Sequence, residues 1–307
     1  MVAAKLCLKA RPTLAQIADR LRPIDGVVAD GLELYLAAED LASPRRVDEV
    51  VELVEAQDLP AGFAVLIEGP VDSLDGRDFD VTRDSQADEL VVERLAELAR
   101  RIGAAAVNIH VIAPSEDVGR LTLACHDALM RRCVPFVRGF VERVRAAGAV
   151  PTVENMPPVL RMRRGGFAFT PIGMASADLL WLAEQVPGLA ILPDTSHAGL
   201  YLNARRMVSQ GEFAALLDFI RQLPEEPPDL LGYLQRFAPC VANAQVSNAE
   251  GLLGEGLPYS AGDFDLDSAI AWLGSVAQHI VTETLEPDVN DAVFMRDAVR
   301  RMRAVLT

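Results

Sequence analysis

Eight apolar runs recur along the chain, and segments with helical spacing of apolar residues separate them. Each run is short and rich in valine, isoleucine, leucine and alanine, which is typical of a buried strand. Turn-forming residues or charged segments bound most of the runs. The pattern therefore predicts strands at 4–10, 31–36, 63–69, 105–112, 149–155, 189–194, 241–247 and 279–284.

The intervening segments carry helix start signals. Thr13 and Ser43 are suitable N-cap residues, and Pro44 would occupy the first helical position after Ser43. Pro135 is expected to kink or split the long helix it interrupts. The predicted helices begin near 13 and 43 and otherwise span 88–101, 119–147, 174–186, 210–222, 229–237, 266–277 and 290–305.

Strict alternation of strands and helices favours an α/β fold with a parallel sheet, and eight repeats favour a closed (β/α)8 TIM barrel over an open sheet. The chain has 307 residues, a usual length for one such barrel. Neither a linker nor a low-complexity segment interrupts it. We therefore expect a single barrel domain over residues 1–307.

Polar side chains fall at or near the end of every predicted strand. Because side chains alternate across a strand, residues of one parity share a face. Each predicted strand has a polar residue near its carboxyl end on the face that it shares with the other strands. In chain order these residues are Lys9, Glu33, Glu68, His110, Glu154, Asp194, Gln245 and Glu283. Barrel enzymes assemble their sites where the carboxyl ends of the strands meet, and a buried charge needs a partner. The pattern therefore predicts one polar site at that end.

Composition narrows the choice of partners. The net charge is −15, which disfavours a nucleic-acid partner through long-range repulsion of phosphates. No apolar run approaches the ~20 residues that a membrane span needs, and the N-terminus lacks the form of a signal peptide. Four scattered cysteines form no CxxC pair. We expect a reduced, cytoplasmic protein without a membrane partner.

Three motifs resemble those of the xylose-isomerase-like TIM barrel superfamily. They are Thr152–Asn155 (Thr-Val-Glu-Asn), Pro193–Ala198 (Pro-Asp-Thr-Ser-His-Ala) and Gly262–Asp265 (Gly-Asp-Phe-Asp). The superfamily includes sugar phosphate isomerases and epimerases, dehydratases and the endonuclease IV type of abasic-site endonuclease. The resemblance covers essentially the whole chain and implies the same barrel, without selecting one activity.

The resemblance also implies a metal site. Its ligands would be Glu154, Asp194, Gln245 and Glu283, holding one divalent ion: Mn, Mg, Co or Zn. The family usually has histidine at the third position, where this chain has Gln245. An amide oxygen is a neutral ligand that would shift the preference towards harder ions such as Mn²⁺ or Mg²⁺. The same substitution is also compatible with a lost metal site.

Catalytic roles follow from the resemblance in the same way. Glu154 and Glu283 would transfer protons, which suits isomerisation, epimerisation and elimination of water alike. His197 would contact the substrate or, as in endonuclease IV, hold a second metal. A histidine that only forms hydrogen bonds at a strand end is the alternative. The position of Lys9 at the end of its strand suits stabilisation of an enolate or binding of an anion, with a lysine at the barrel rim as the alternative.

Further candidates for substrate binding come from strand ends and one loop. His110 and Glu68 end their strands on the inward face. The loop after the fifth strand carries Arg161, Arg163 and Arg164, which could clamp a carboxylate or phosphate. A solvated basic loop is the alternative for these three arginines.

Together these features predict a metal-dependent isomerase or epimerase, or a dehydratase-type lyase. Its substrate would be a small polyol, keto-sugar or cyclic polyhydroxy acid. The alternatives are an endonuclease IV-like phosphodiesterase, which the negative charge disfavours, and a non-catalytic barrel that binds a sugar or a partner. Because family members often form dimers or tetramers, a homo-oligomer is also compatible with the resemblance.

Overall fold

In a computed structural model, eight parallel strands form one sheet that curls into a barrel, as the sequence predicted. The structure describes residues 3–23, 26, 28–115, 117–161 and 167–307. The barrel strands are β1 (Lys5–Ala10), β2 (Gly31–Tyr35), β3 (Ala64–Glu68), β4 (Ala106–His110), β5 (Val150–Glu154), β8 (Ala190–Leu192), β9 (Asn243–Val246) and β12 (His279–Thr282).

The order of strands around the sheet is β8-β5-β4-β3-β2-β1-β12-β9. Two isolated parallel bridges, Ile191 with Val241 and Asp194 with Gln245, join the ends of this sheet. Backbone hydrogen bonds support the junction, including one of 2.9 Å from the Gln245 amide to the Pro193 carbonyl oxygen. The eight carboxyl ends therefore surround a common centre.

Helices follow most strands and cover the outside of the barrel. They are α1 (Leu14–Leu21), α2 (Pro44–Glu55), α3 (Gln86–Ile102), α4 (Leu123–Ala146), α5 (Ser176–Gln185), α6 (Thr195–Arg206), α7 (Ala214–Gln222), α8 (Leu230–Gln235), α9 (Asp267–Val276) and α10 (Val293–Leu306). The Thr13 and Ser43 hydroxyls cap α1 and α2, as predicted. Pro135 lies inside α4, which continues through it rather than splitting.

Two short hairpins lie beyond the barrel strands. One consists of β6 (Leu160–Arg161) and β7 (Phe167–Ala168), and the other of β10 (Asn248–Glu250) and β11 (Gly254–Leu257). Both follow barrel strands at the end where the polar residues lie. They therefore extend the walls of the barrel mouth.

Strand alternation divides the apolar residues into two sets. One set, represented by Leu8, Ile67 and Val107, belongs to the large core that includes the helices. The other set is a small buried cluster of Cys7, Ala64, Leu66, Ala106 and Val281. Cys7, Leu66 and Val281 each lie two residues before a charged strand-end residue, on the same face. This small cluster therefore forms an apolar floor beneath the polar site.

Within the described part of the chain, no helix combines the length and hydropathy required to cross a bilayer.

Candidate active site

A cavity of about 450 Å³ opens at the carboxyl ends of the strands, and its size suits a ligand such as a monosaccharide. The charged and histidine side chains deep in its lining are Lys9, Glu68, His110, Glu154, His197 and Glu283. An apolar part of the wall includes Tyr35, Val71, Ile112, Met156, Leu160, Leu285, Val289 and Met295. Six side chains singled out from the sequence therefore meet in one cavity.

Strand geometry explains this convergence. Lys9, Glu68 and Glu154 lie at or next to the ends of β1, β3 and β5, and Glu283 directly follows β12. Their side chains share the inward face with the apolar floor below them. Each strand thus contributes a buried anchor and, two residues later, a polar group.

Glu154 is almost fully buried at the cavity wall, with 1% of its surface exposed. The Asn108 amide donates a hydrogen bond of 2.7 Å to one carboxylate oxygen. His110 Nε2 lies 3.3 Å from the other oxygen, and His197 Nδ1 lies 3.7 Å from it. Burial and the nearby Glu68 carboxylate raise the pKa of Glu154, although His110 and His197 act in the opposite direction. A carboxyl with a raised pKa is suited to accept and return protons near neutral pH.

Asp194 and His197 form a rigid unit at the start of α6. Asp194 is the N-cap, and its Oδ1 accepts a 2.6 Å hydrogen bond from the His197 backbone amide. The Asn155 side chain bonds the Asp194 backbone at both its amide and its carbonyl, at 2.8 and 3.0 Å. The Asp-Thr-Ser-His spacing in the sequence thus produces a capped first turn that fixes the histidine.

The His197 ring is held at both nitrogens. Nδ1 lies 2.9 Å from the Asn155 carbonyl oxygen, which can only accept, so Nδ1 donates. Nε2 lies 3.2 Å from Glu255 Oε1. Burial disfavours the imidazolium, but Asp194 and Glu255 outweigh it and raise the pKa of His197 well above its usual value. His197 is therefore a cationic hydrogen-bond donor at the cavity wall.

Lys9 is the cationic centre of the opposite wall. Its ammonium is paired with the carboxylates of both Glu68 and Glu283. It also lies 5.0 Å from the centre of the Tyr35 ring, within the range of a cation–π contact. Burial disfavours the ammonium, but Glu283 and Glu68 outweigh it and raise the pKa of Lys9. Burial alone would raise the pKa of Glu68, but Lys9 and His110 lower it to about 2.

Gln245 lies behind this pair, fully buried at the end of β9. Its amide nitrogen donates hydrogen bonds of 2.8 Å to Glu33 and 2.8 Å to Glu68. Its carbonyl oxygen has no hydrogen-bond partner among the described residues. Burial and repulsion from Glu68 raise the pKa of Glu33 to about 8. The amide of Gln245 therefore acts as a donor that holds two carboxyl groups close together.

Two groups of side chains have atoms of metal-ligating type within 4.8 Å of one another: Glu68, His110 and Glu154, and Glu33, Glu68 and Glu283. The first is a candidate metal site. Of the four ligands implied by the resemblance, Glu154 and Glu283 occur in different groups, and neither group found among the described residues contains Asp194. The complete ligand set stays a prediction.

The loop after β5, which carries the three arginines predicted to bind an anion, is described only in part. Arg163 and Arg164 lie outside the described residues. Arg161 is described only through its backbone, as the second residue of β6. Their anion-binding role stays a prediction.

Three residues that touch the site were given no role from the sequence. Glu33 and Asn108 lie on the inward faces of β2 and β4. Strand alternation placed Glu33 in the predicted polar site without assigning it a task, and the same signal could have added Asn108. Glu255 comes from β11 and contacts His197 across 58 residues of sequence. No local sequence pattern predicts that contact.

No protein-family model and no curated protein sequence matches the chain. Solved structures do resemble it. A D-tagatose 3-epimerase-like protein has a TM-score of 0.66 and 13% identity, with 97% of each chain covered. A 3-keto-D-glucoside 4-epimerase from E. coli has a TM-score of 0.60 and 14% identity, covering 98% of this chain and 99% of the other.

A xylose isomerase domain protein from Planctomyces limnophilus has a TM-score of 0.60 and 12% identity, covering 99% of this chain and 96% of the other. These likenesses extend over almost the full length of every chain compared. They confirm the xylose-isomerase-like barrel fold that the sequence motifs suggested. At such low identity they establish the fold alone.

Proposed function

We propose that this protein is an isomerase- or epimerase-type enzyme that moves a proton on a small polyhydroxylated carbonyl compound. A keto-sugar is the first candidate, and a cyclic polyhydroxy acid that carries a ketone and loses water is the second. The observation that carries the proposal is the pair of carboxyl groups, Glu154 and Glu283, that line one cavity beside the cations Lys9 and His197. The epimerase names among the solved structures of the same fold are consistent with it.

The two carboxyl groups suit complementary tasks. Glu154 takes a proton from the carbon beside the substrate carbonyl, and the electron pair of the broken C–H bond moves into an enolate. β8 and β9 separate β5 from β12 in the barrel, so Glu283 approaches from a different side. Return of a proton to the same carbon gives an epimer, and return to the neighbouring carbon gives an isomer.

The cations hold the enolate charge. His197 adds the positive charge of a fixed ring, whose two nitrogens face Asn155 and Glu255, and the Lys9 ammonium adds a second positive charge in a site largely screened from water. Pre-positioned charges of this kind often lower the barrier to enolate formation by several kcal/mol. His110, which bridges Glu68 and Glu154, lines the cavity and is placed to contact a substrate hydroxyl.

The divalent ion expected from the resemblance fits this arrangement poorly. Glu68, His110 and Glu154 offer suitable donor atoms, and the carbonyl oxygen of Gln245 has no partner among the described residues. However, the Lys9 ammonium is already bound to Glu68 and Glu283. A divalent ion held by Glu68 would share that carboxylate with the ammonium. Repulsion between the two cations would then offset part of the attraction of the carboxylates for the metal. The proton transfer proposed above uses only the protein's own side chains.

Isotope exchange tests the proposal even while the product is unidentified. The purified protein is incubated in D₂O with a panel of ketopentoses, ketohexoses and cyclic polyhydroxy ketones, and deuterium at carbon is followed by NMR. We expect exchange on at least one compound and a loss of about 10²–10⁴-fold in Glu154→Gln, the range for removal of a general base.

The matched control is Glu250→Gln, because Glu250 lies exposed on β10 away from the cavity lining. That variant should retain the wild-type exchange rate. Equal rates in wild type and Glu154→Gln would contradict the assignment of the base. Saturable binding of a panel compound without exchange would favour a non-catalytic sugar-binding barrel instead.

A further inference from the structure

We propose that the Lys9 ammonium takes the place of a divalent metal ion in this barrel, so that the site is metal-independent. The replacement of the metal charge by Lys9 does not depend on the identity of a substrate. Its catalytic consequence rests on the function proposed above.

The position of Lys9 is the first support. In β1 it pairs in register with Glu33 of β2, and the neighbouring Leu8 pairs with Thr282, directly before Glu283. The side chain is therefore flanked by carboxyl groups from both adjacent strands. It binds Glu283 from one of these strands and reaches Glu68 of β3 beyond the other. An ammonium that bridges the buried Glu68 carboxylate and the partly exposed Glu283 carboxylate supplies positive charge at the centre of the acidic cluster.

The choice of lysine is the second support. Lys5 and Lys9 are the only lysines in the sequence, and the other 27 basic residues counted with them are arginines. An ammonium is a compact charge with three donors, whereas a guanidinium is a wide planar fork. A compact cation fits between two carboxylates that also share a third neighbour, Glu33.

Gln245 is the third support. The sequence resemblance places a neutral metal ligand at this position, but its amide nitrogen faces Glu33 and Glu68 at 2.8 Å. Exchanging the nitrogen and oxygen of the amide would set a carbonyl oxygen against two carboxyl oxygens. The donor orientation is therefore the one that the neighbours favour. The glutamine amide can donate to both carboxyl groups because its nitrogen carries two N–H bonds, whereas a neutral imidazole has only one N–H.

Asp194 is the fourth support. Its Oδ1 caps the His197 amide, and its backbone is bound at both ends by the Asn155 side chain. Asp194 belongs to neither group of clustered donor atoms found in the described chain. Each of these three implied ligands thus makes a contact with the protein itself: one Asp194 oxygen caps a helix, the Gln245 nitrogen binds two carboxyl groups and one Glu283 oxygen binds Lys9. Gln245 Oε1 and Glu283 Oε2 have no hydrogen-bond partner among the described residues.

Metal binding by matched lysine variants tests the inference directly. Wild type, Lys9→Met and Lys5→Met are stripped with a chelator, and binding of Mn²⁺ is followed by electron paramagnetic resonance and thermal shift. Lys5 is the control because its ammonium bonds the Gly62 carbonyl oxygen outside the cavity. We expect no saturable Mn²⁺ binding by wild type or Lys5→Met.

Lys9→Met removes the internal cation and leaves the carboxylates. We expect it to bind about one Mn²⁺ per chain and to gain roughly 3–8 °C in Tm at a hundredfold excess of metal over Kd. If the variant is unstable when stripped, added Mn²⁺ should restore its folding, since the metal then supplies the missing charge. A Lys9→Met protein that neither binds nor is rescued by Mn²⁺ would overturn the inference.

Stoichiometric Mn²⁺ binding by wild type would also overturn it. Gln245→His provides a second route, because it restores an imidazole while keeping Lys9. We expect this variant not to bind Mn²⁺ alone, and the double variant Lys9→Met/Gln245→His to bind more tightly than Lys9→Met. All these measurements omit substrate, so a failure of the proposed enzymatic function would leave their outcome unchanged.

Discussion

Removal of Lys9 should destabilise the fold by about 3–5 kcal/mol at pH 8, the usual cost of breaking a buried ion pair by deleting one partner. In Lys9→Met, the carboxylates of Glu68 and Glu283 lose their bound cation. The pKa of Glu68 falls from 4.5 to about 2 in the folded protein, largely through Lys9 and His110 against the effect of burial. That shift corresponds to about 3 kcal/mol of stability at pH 7, which agrees with the cost of about 3–5 kcal/mol expected for breaking the ion pair.

The pH dependence of this loss has a definite sign. In wild type the folded pKa of Glu68 is depressed, so its contribution is present above the unfolded pKa of 4.5 and is lost as pH falls towards 2. Lys9 has a raised pKa, so its contribution is constant well below 10.5. In Lys9→Met, burial should raise the pKa of Glu68, and protonation then relieves the unpaired charge. The loss should therefore be smaller at pH 5 than at pH 8.

Urea unfolding followed by tryptophan fluorescence measures the loss in the free energy of unfolding at pH 5 and at pH 8. Lys5→Met is the control. The control should change stability by less than about 1 kcal/mol, because its lysine hydrogen bond is exposed. A loss below about 1 kcal/mol in Lys9→Met at pH 8, or one that does not depend on pH, would refute the bridging role of Lys9.

Two further predictions concern other residues of the candidate site. Burial and Glu68 raise the pKa of Glu33 to about 8, so its ionisation costs stability as pH rises from 4.5 through 8. The stability of Glu33→Gln relative to wild type should therefore be greater at pH 9 than at pH 5, by up to about 4 kcal/mol. An equal difference at both pH values would contradict this. Asn155→Ala removes both side-chain bonds to the Asp194 backbone and should cost about 2–4 kcal/mol by urea unfolding. It should also slow isotope exchange by loosening His197, and an unchanged exchange rate would contradict that positioning role.

The fold and the location of the site could be predicted because both follow from local regularities. Apolar alternation identifies each strand, and a polar residue at each strand end follows from barrel geometry. The Asp-Thr-Ser-His segment likewise predicted Asp194 and His197, whose contact is local: a capped first turn of α6.

Contacts between side chains on different strands could not be predicted from the sequence. Lys9 and Glu283 are 274 residues apart, and only the packed barrel shows that they meet. Gln245 could act as a ligand through its oxygen or as a donor through its nitrogen, and neighbours on other strands decide which group faces the carboxylates. Glu255 reaches His197 from a hairpin that no periodic pattern connects to the site.

Isotope exchange by chelator-stripped wild-type protein in metal-free D₂O, with the panel of ketoses and cyclic ketones, tests metal-independent proton transfer most directly. We predict carbon-bound deuterium at a rate that added Mn²⁺ or Mg²⁺ does not increase, because Lys9 supplies the cation and Glu154 the base. Exchange that appears only after a divalent metal is added would contradict the role given to Lys9. An absence of exchange under both conditions would contradict the proposed proton-transfer activity.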